Sequence, residues 1–336
     1  IDTRRFVAMV LIVAMLAAML PMAVVAVLPG GVLGAENASV SGTFTVNDGS
    51  FSIDNVTVYT TTDNSSTTSM TPHVAYHVKV AVTNTNGLDN ITQVNAILYY
   101  DSNGTYTDNS EVGSDNAQTH ATFKWTPAGD FEIVGPSGKW ACDNSSSVEP
   151  SNFAVTQGVF EFHVTVGDVA TYARAGSTPR WFAYGSATNG PTTVENASSA
   201  LTMQWYGAIT TSGSLTWSGA APGSGYTERT VSVTYVSNGA FNKQAQATSP
   251  WSSVAKLVDS DTPGANEFAL KADDTGSLPG DDHRLVSTEY RVIDTGSQTI
   301  ESPNAETTSV WLKIGSPFTA GTYNGTVYFQ ISNSTP

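Results

Sequence analysis

The stretch HVAYHVKVAVTN, residues 73–84, decides how most of this chain reads. Val74, Tyr76, Val78, Val80 and Val82 recur at every second position, with His73, His77 and Lys79 on the alternate ones. Successive side chains of a strand point to opposite faces, so this spacing makes one apolar and one polar face, as a half-buried β-strand requires. VFEFHVTV, residues 159–166, does the same with Phe160, Phe162, Val164 and Val166. Asn86-Gly87, Asn103-Gly104, residues 136–138 and Asn189-Gly190 punctuate such runs, and these are residues that accept tight hairpin turns.

Composition extends this reading to the rest of the chain. Only 13% of the 336 residues are charged, and Ser, Thr, Asn and Gly crowd the sequence after Leu28. That balance favours strands and turns, and the length suffices for two cores. Strand-like runs resume at LTMQWYGAITTSGSLTWSG (201–219) and continue through RTVSVTYVSNG (229–239), STEYRVID (287–294), TSVWLKIG (308–315) and TYNGTVYFQIS (322–332). In the last run Tyr323, Gly325, Val327, Phe329 and Ile331 alternate inward, which ties the C-terminus into a sheet.

The front of the chain is different. Residues 6–28, FVAMVLIVAMLAAMLPMAVVAVL, hold no charge, and as a helix they would extend roughly 35 Å, enough to cross a bilayer. The run is longer than the hydrophobic part of a secretory signal, and Leu33-Gly34-Ala35 makes a poor cleavage site. A chain beginning at Ile1 suggests that an upstream piece was removed while this segment was kept. Arg4 and Arg5 put the N-terminus on the cytoplasmic side and the body outside, and Pro21 should loosen the helix. The expected fold is therefore mainly β: a long hydrophobic α-helix over residues 1–36, then two tandem antiparallel, Ig-like β-sandwich domains over residues 37–198 and 199–336.

A net charge of −15, from 14 Lys plus Arg against 29 Asp plus Glu, repels phosphate backbones and disfavours nucleic acid as a partner. The single Cys142 cannot form an intrachain disulfide and reads as a packing residue beside Trp140. Asn-x-Ser/Thr sequons occur at Asn37, Asn55, Asn64, Asn90, Asn103, Asn144, Asn196, Asn324 and Asn333, all beyond the apolar run. They point to an extracellular glycoprotein carrying N-linked glycans.

Catalytic signals are missing from the sequence. His73 and His77 have the spacing of a helical zinc motif, but Val74 stands where the catalytic Glu belongs, and four residues of strand separate them by about 13 Å. GPSGKW, residues 135–140, lacks the first Gly and the final Ser or Thr of a phosphate loop. No G-x-S-x-G elbow occurs, so no enzyme and no organic cofactor are expected. Asp259, Asp261, Asp273, Asp274, Asp281 and Asp282 crowd two loops with oxygen ligands that suit calcium, against a plainer reading as solvated charges. Trp181, Trp205, Tyr206, Trp217, Trp251 and Trp311 could form a glycan-binding face, although alternation with apolar neighbours favours core packing.

A retained apolar segment at the very front, followed by extracellular β-domains, resembles the plan of archaeal type IV pilin-like filament subunits. WYGAITTSGSLTW, VTYVSNGAF, ANEFALKADD and AGTYNGTVYFQI resemble β-sandwich domains of archaeal cell-surface proteins. The resemblance implies a homopolymer whose helices pack in a filament core, with Phe6, Val10, Ile12, Leu16, Leu20 and Pro21 carrying assembly and the membrane holding the precursor. Asp2, Arg4 and Arg5 depart from the usual apolar start. The implied role is a structural pilus subunit serving adhesion, with a host-cell or surface glycan as the ligand class; the alternatives are a membrane-anchored or S-layer-type surface glycoprotein and an archaellin.

Overall fold

Period-two alternation organises two pairs of sheets. The computed structural model describes residues 41–43, 49–104, 116–136, 139–178 and 180–335. The first eleven strands are β1 (Phe51–Thr60), β2 (Ser69–Met70), β3 (Ala75–Asn84), β4 (Gln93–Asp101), β5 (His120–Trp125), β6 (Phe131–Gly135), β7 (Ala141–Cys142), β8 (Gln157–Thr165), β9 (Arg180–Asn189), β10 (Thr192–Ala197) and β11 (Thr202–Met203). They build one sheet of order β1-β3-β8-β7 and another of order β10-β9-β4-β5-β6, while β2 and β11 form a short parallel pair.

The core of this first sandwich lies between the two sheets. Val78, Val80 and Val82 of β3 and Phe160 and Phe162 of β8 meet Leu98, Phe123, Trp125 and Trp181, all buried. The sheets approach closely at Gly185 of β9, where an added Cβ would lie 2.9 Å from Val56 and Val80. Two buried indoles of this core are satisfied: Trp140 Nε1 donates to the Ala117 carbonyl at 2.8 Å and Trp181 Nε1 to the Thr171 carbonyl at 2.7 Å.

The second sandwich comprises β12 (Gly207–Ser212), β13 (Thr227–Ser237), β14 (Phe241–Ala247), β15 (Lys256–Leu257), β16 (Glu267–Asp273), β17 (Arg291–Gly296), β18 (Glu306–Ile314) and β19 (Val327–Asn333). Its sheets run β12-β13-β18-β16-β15 and β17-β14-β19. Ala245, Ala247, Phe268, Leu270, Val310 and Leu312 fill the space between them. The C-terminal strand β19 pairs antiparallel with β14 from Val327 to Asn333.

Asp48–Pro336 forms one compact unit, and a buried asparagine shows how the sandwiches join. Asn238, in the turn between β13 and β14, donates its side-chain amide to the Ala170 and Gln204 carbonyls at 2.9 and 2.8 Å. Its Oδ1 accepts the Tyr206 N–H at 2.7 Å, and its backbone carbonyl accepts the Tyr172 N–H at 2.8 Å. Gln298 Nε2 reaches the Val169 carbonyl and Gln118 Nε2 reaches the Thr299 carbonyl, both at 2.8 Å. These bonds leave little freedom for one sandwich to swing on the other.

One expectation is corrected. The described residues contain no α-helix, only short 3-10 turns at Leu88–Asn90 and Asp281–His283, and no helix among them is long and apolar enough to cross a membrane. The plan of a long helix followed by sandwiches gives way to an all-β fold. The physical reason is the periodicity: the described chain repeats its apolar residues every second position, which leaves no helical stripe to bury. Residues 1–36, with Phe6, Val10, Ile12, Leu16, Leu20 and Pro21, lie outside the described residues.

Candidate functional site

The acidic loops come together at the second sandwich, and they face protein cations. Lys271 of β16, with its side chain 4% exposed, has Nζ 3.1 Å from Asp261 Oδ2 and 3.0 Å from Asp281 Oδ1. Tyr226 donates its hydroxyl to Asp261 at 2.6 Å. Arg284 joins Asp259 and Asp281, each at 2.8 Å, and Arg291 donates to Asp259 at 2.6 Å. Hydrogen bonds from Arg291 and then Arg284 hold the Asp259 carboxyl below its usual range. Burial alone would raise Asp261, but hydrogen bonds from Tyr226 and Lys271 hold it below the usual range.

A second cluster surrounds Lys243, which projects inward from β14. Its Nζ lies 2.7 Å from Asp274 Oδ2, 2.5 Å from Glu306 Oε2 and 3.5 Å from Asp294 Oδ2. Thr308 donates its hydroxyl to the other Asp274 oxygen at 2.6 Å. Asp273 meets His283 Nδ1 at 2.9 Å, while Asp282 is exposed and stands 3.8 Å from His283 Nε2. Of the six calcium candidates, five therefore have a close basic partner, and among the described residues no group of three or more His, Cys, Asp or Glu side chains is arranged to hold a metal ion.

The cations were missed as site residues, although a signal for them exists. In FNKQAQA, residues 241–247, Lys243 occupies the inward phase with Phe241, Ala245 and Ala247. A lysine in a core phase demands a carboxylate partner.

The sequons separate by environment. Asn55, Asn64, Asn90, Asn103, Asn144 and Asn324 are exposed, whereas Asn196 and Asn333 are half-buried and Asn37 lies outside the described residues. Asn196 differs further, because its Nδ2 donates to the Ile53 carbonyl at 3.0 Å. Asn144 uses its Oδ1 to accept the Phe131 N–H at 2.8 Å, which holds the side chain while leaving the amide on the exposed loop.

His73 and His77 do not pair with one another; the register places His77 opposite His163, with ring centroids 5.1 Å apart. His77 Nδ1 lies 2.8 Å from Glu161, and burial pushes the imidazole below its ordinary range despite that carboxylate. Cys142 is half-buried, and burial pushes its thiol up to about 11. Trp181, Trp251 and Trp311 are core residues, while Trp205, Tyr206 and Trp217 are half-buried. Trp217, Trp251, Phe318 and Tyr323 line a groove of about 590 Å³ that also takes in Asn324.

No family model and no curated protein matches this chain. Among solved structures, it is similar to a chain in the crystal structure of the CsuC-CsuE chaperone-tip adhesion subunit pre-assembly complex from archaic chaperone-usher Csu pili of Acinetobacter baumannii. Identity is 11%, the match covers 79% of this chain and 97% of that chain, and the TM-score is 0.28. At that score the likeness carries no argument about function.

Proposed function

We propose that this chain is a structural subunit of an extracellular filament, with the two sandwiches as its outer body and residues 6–28 as the segment that joins copies. The finer reading is an archaeal type IV pilus-like filament serving adhesion, without enzymatic activity, and with N-linked glycans on its exposed sequons. The observation that supports it most is the contrast within one chain. Twenty-three consecutive residues without a charge precede a body of net negative charge whose chemistry-bearing side chains are engaged in holding its own sheets together. An uncharged run of that length must be covered by lipid or by other copies. The sandwiches supply a stiff, hydrogen-bonded mass for it to carry.

Electron microscopy of surface material sheared from cells without detergent tests the reading. Filaments labelled by antibody against the sandwich body are the expected result. Recovery of the protein only in detergent, as single particles or as a flat lattice, would replace the filament with an anchored surface glycoprotein.

A further inference from the structure

We infer that Lys243 and Asp274 condense to an intramolecular amide, a covalent cross-link between the two sheets of the second sandwich. The two groups are held in contact in a nearly water-free setting. Lys243 Nζ stands 2.7 Å from Asp274 Oδ2, and the two side chains are only 7% and 6% exposed. The other carboxyl oxygen of Asp274 accepts a hydrogen bond from Thr308 Oγ1 at 2.6 Å, which suits the oxygen on which charge develops during attack at Cγ. Glu306 Oε2 touches the same Nζ and is itself 49% exposed, so it can both take a proton and open to solvent. The Tyr235 ring covers the amine from 5.0 Å.

The step balances without any co-reactant. Starting from the neutral tautomer, amine beside carboxylic acid, Lys243 Nζ attacks Asp274 Cγ to form the N–C bond. Glu306 accepts a proton from the attacking nitrogen and returns it to the departing hydroxyl, which leaves as water. An ammonium and a carboxylate thus become one neutral amide and one water molecule.

Burial favours that outcome, because an enclosed ion pair carries a desolvation penalty that the amide does not. Burial pushes the Lys243 ammonium down, but hydrogen bonds to Asp274 and Glu306 outweigh it and raise the group. The neutral tautomer is consequently the minor one. The condensation is slow, occurs once per molecule, and relies on the proximity that the fold maintains. Lys243 belongs to β14 and Asp274 directly follows β16, so the bond would add a covalent link between sheets that otherwise meet through side-chain packing and ion pairs. In a subunit under shear, such a bond resists separation of the sheets.

The mass of the full chain, produced in a host without N-glycosylation and denatured before measurement, tests the link. The expected mass is one water below that of the sequence, with a branched tryptic peptide joining Lys243 to Asp274. Lys243→Arg keeps the charge and should return the chain to full mass; circular dichroism establishes that it remains β-folded. Glu306→Gln should fold and stay at full mass, and complete linkage in that variant would remove Glu306 from the step. A folded wild-type chain of full mass, or a missing water mapped to another aspartate, overturns the proposal.

Discussion

Asn238 shows how much one buried amide can determine. Both its side-chain donors and its acceptor are used: Gln204 and Tyr206 lie on the segment between β11 and β12 that connects the sandwiches, and Ala170 lies on the β8–β9 loop of the first sandwich. Asn238→Ala leaves those groups without the amide, at ~1–3 kcal/mol for each buried group that finds no partner. A loss of about 3 kcal/mol in urea unfolding is expected; a loss within experimental error would show that the junction does not depend on this residue. The sequons are also decided one residue at a time. Asn196 has its amide nitrogen engaged by the Ile53 carbonyl, so peptide mapping of the glycosylated protein should find it unoccupied while Asn55, Asn64 and Asn144 are modified. Full occupancy of Asn196 would contradict that assignment for the folded chain.

At the scale of elements, the alternating strands were the legible part. β3, β8 and β14 carry one buried and one open face, and their period-two pattern stands in the sequence without help from tertiary structure. β4 and β9 are harder to read, since residues on both faces are buried: Ile97, Tyr99, Phe182 and Tyr184 form an apolar cluster apart from the inter-sheet core. Central strands covered on both sides lose their alternation. The ion pairs were illegible for a different reason. Asp259 meets Arg284 and Arg291 from 25 and 32 positions away, and Lys243 meets Glu306 from 63, so only the sheet register brings the charges together. Loops that read as solvated or calcium-binding became arms of a salt-bridge network.

That network gives the elements around β16 a defined acid response. Asp259 and Asp261 have folded pKa values below the unfolded 3.8, so their pairs contribute above that value and are lost as pH falls through the folded values. The melting temperature should drop as pH falls below about 4, and Asp259→Asn should flatten part of that drop. A wild-type melting temperature independent of pH in that range would contradict the coupling. Adding calcium at neutral pH should leave it unchanged, because the same carboxylates already face lysine and arginine.

The whole molecule comprises a β-body with its own cores and, in the sequence, an uncharged segment at its front. The body keeps its cores and its inter-sandwich hydrogen bonds within Asp48–Pro336. The cores and junction hydrogen bonds of that body are made among its own described residues, so removing the apolar residues should alter assembly and leave the sandwiches intact. The most direct measurement compares the full chain with one lacking residues 1–28, by electron microscopy and thermal unfolding under the same conditions. Filaments from the full chain, none from the shortened one, and a melting transition of the body common to both are the expected result. Filaments of unchanged form from the shortened chain would contradict it.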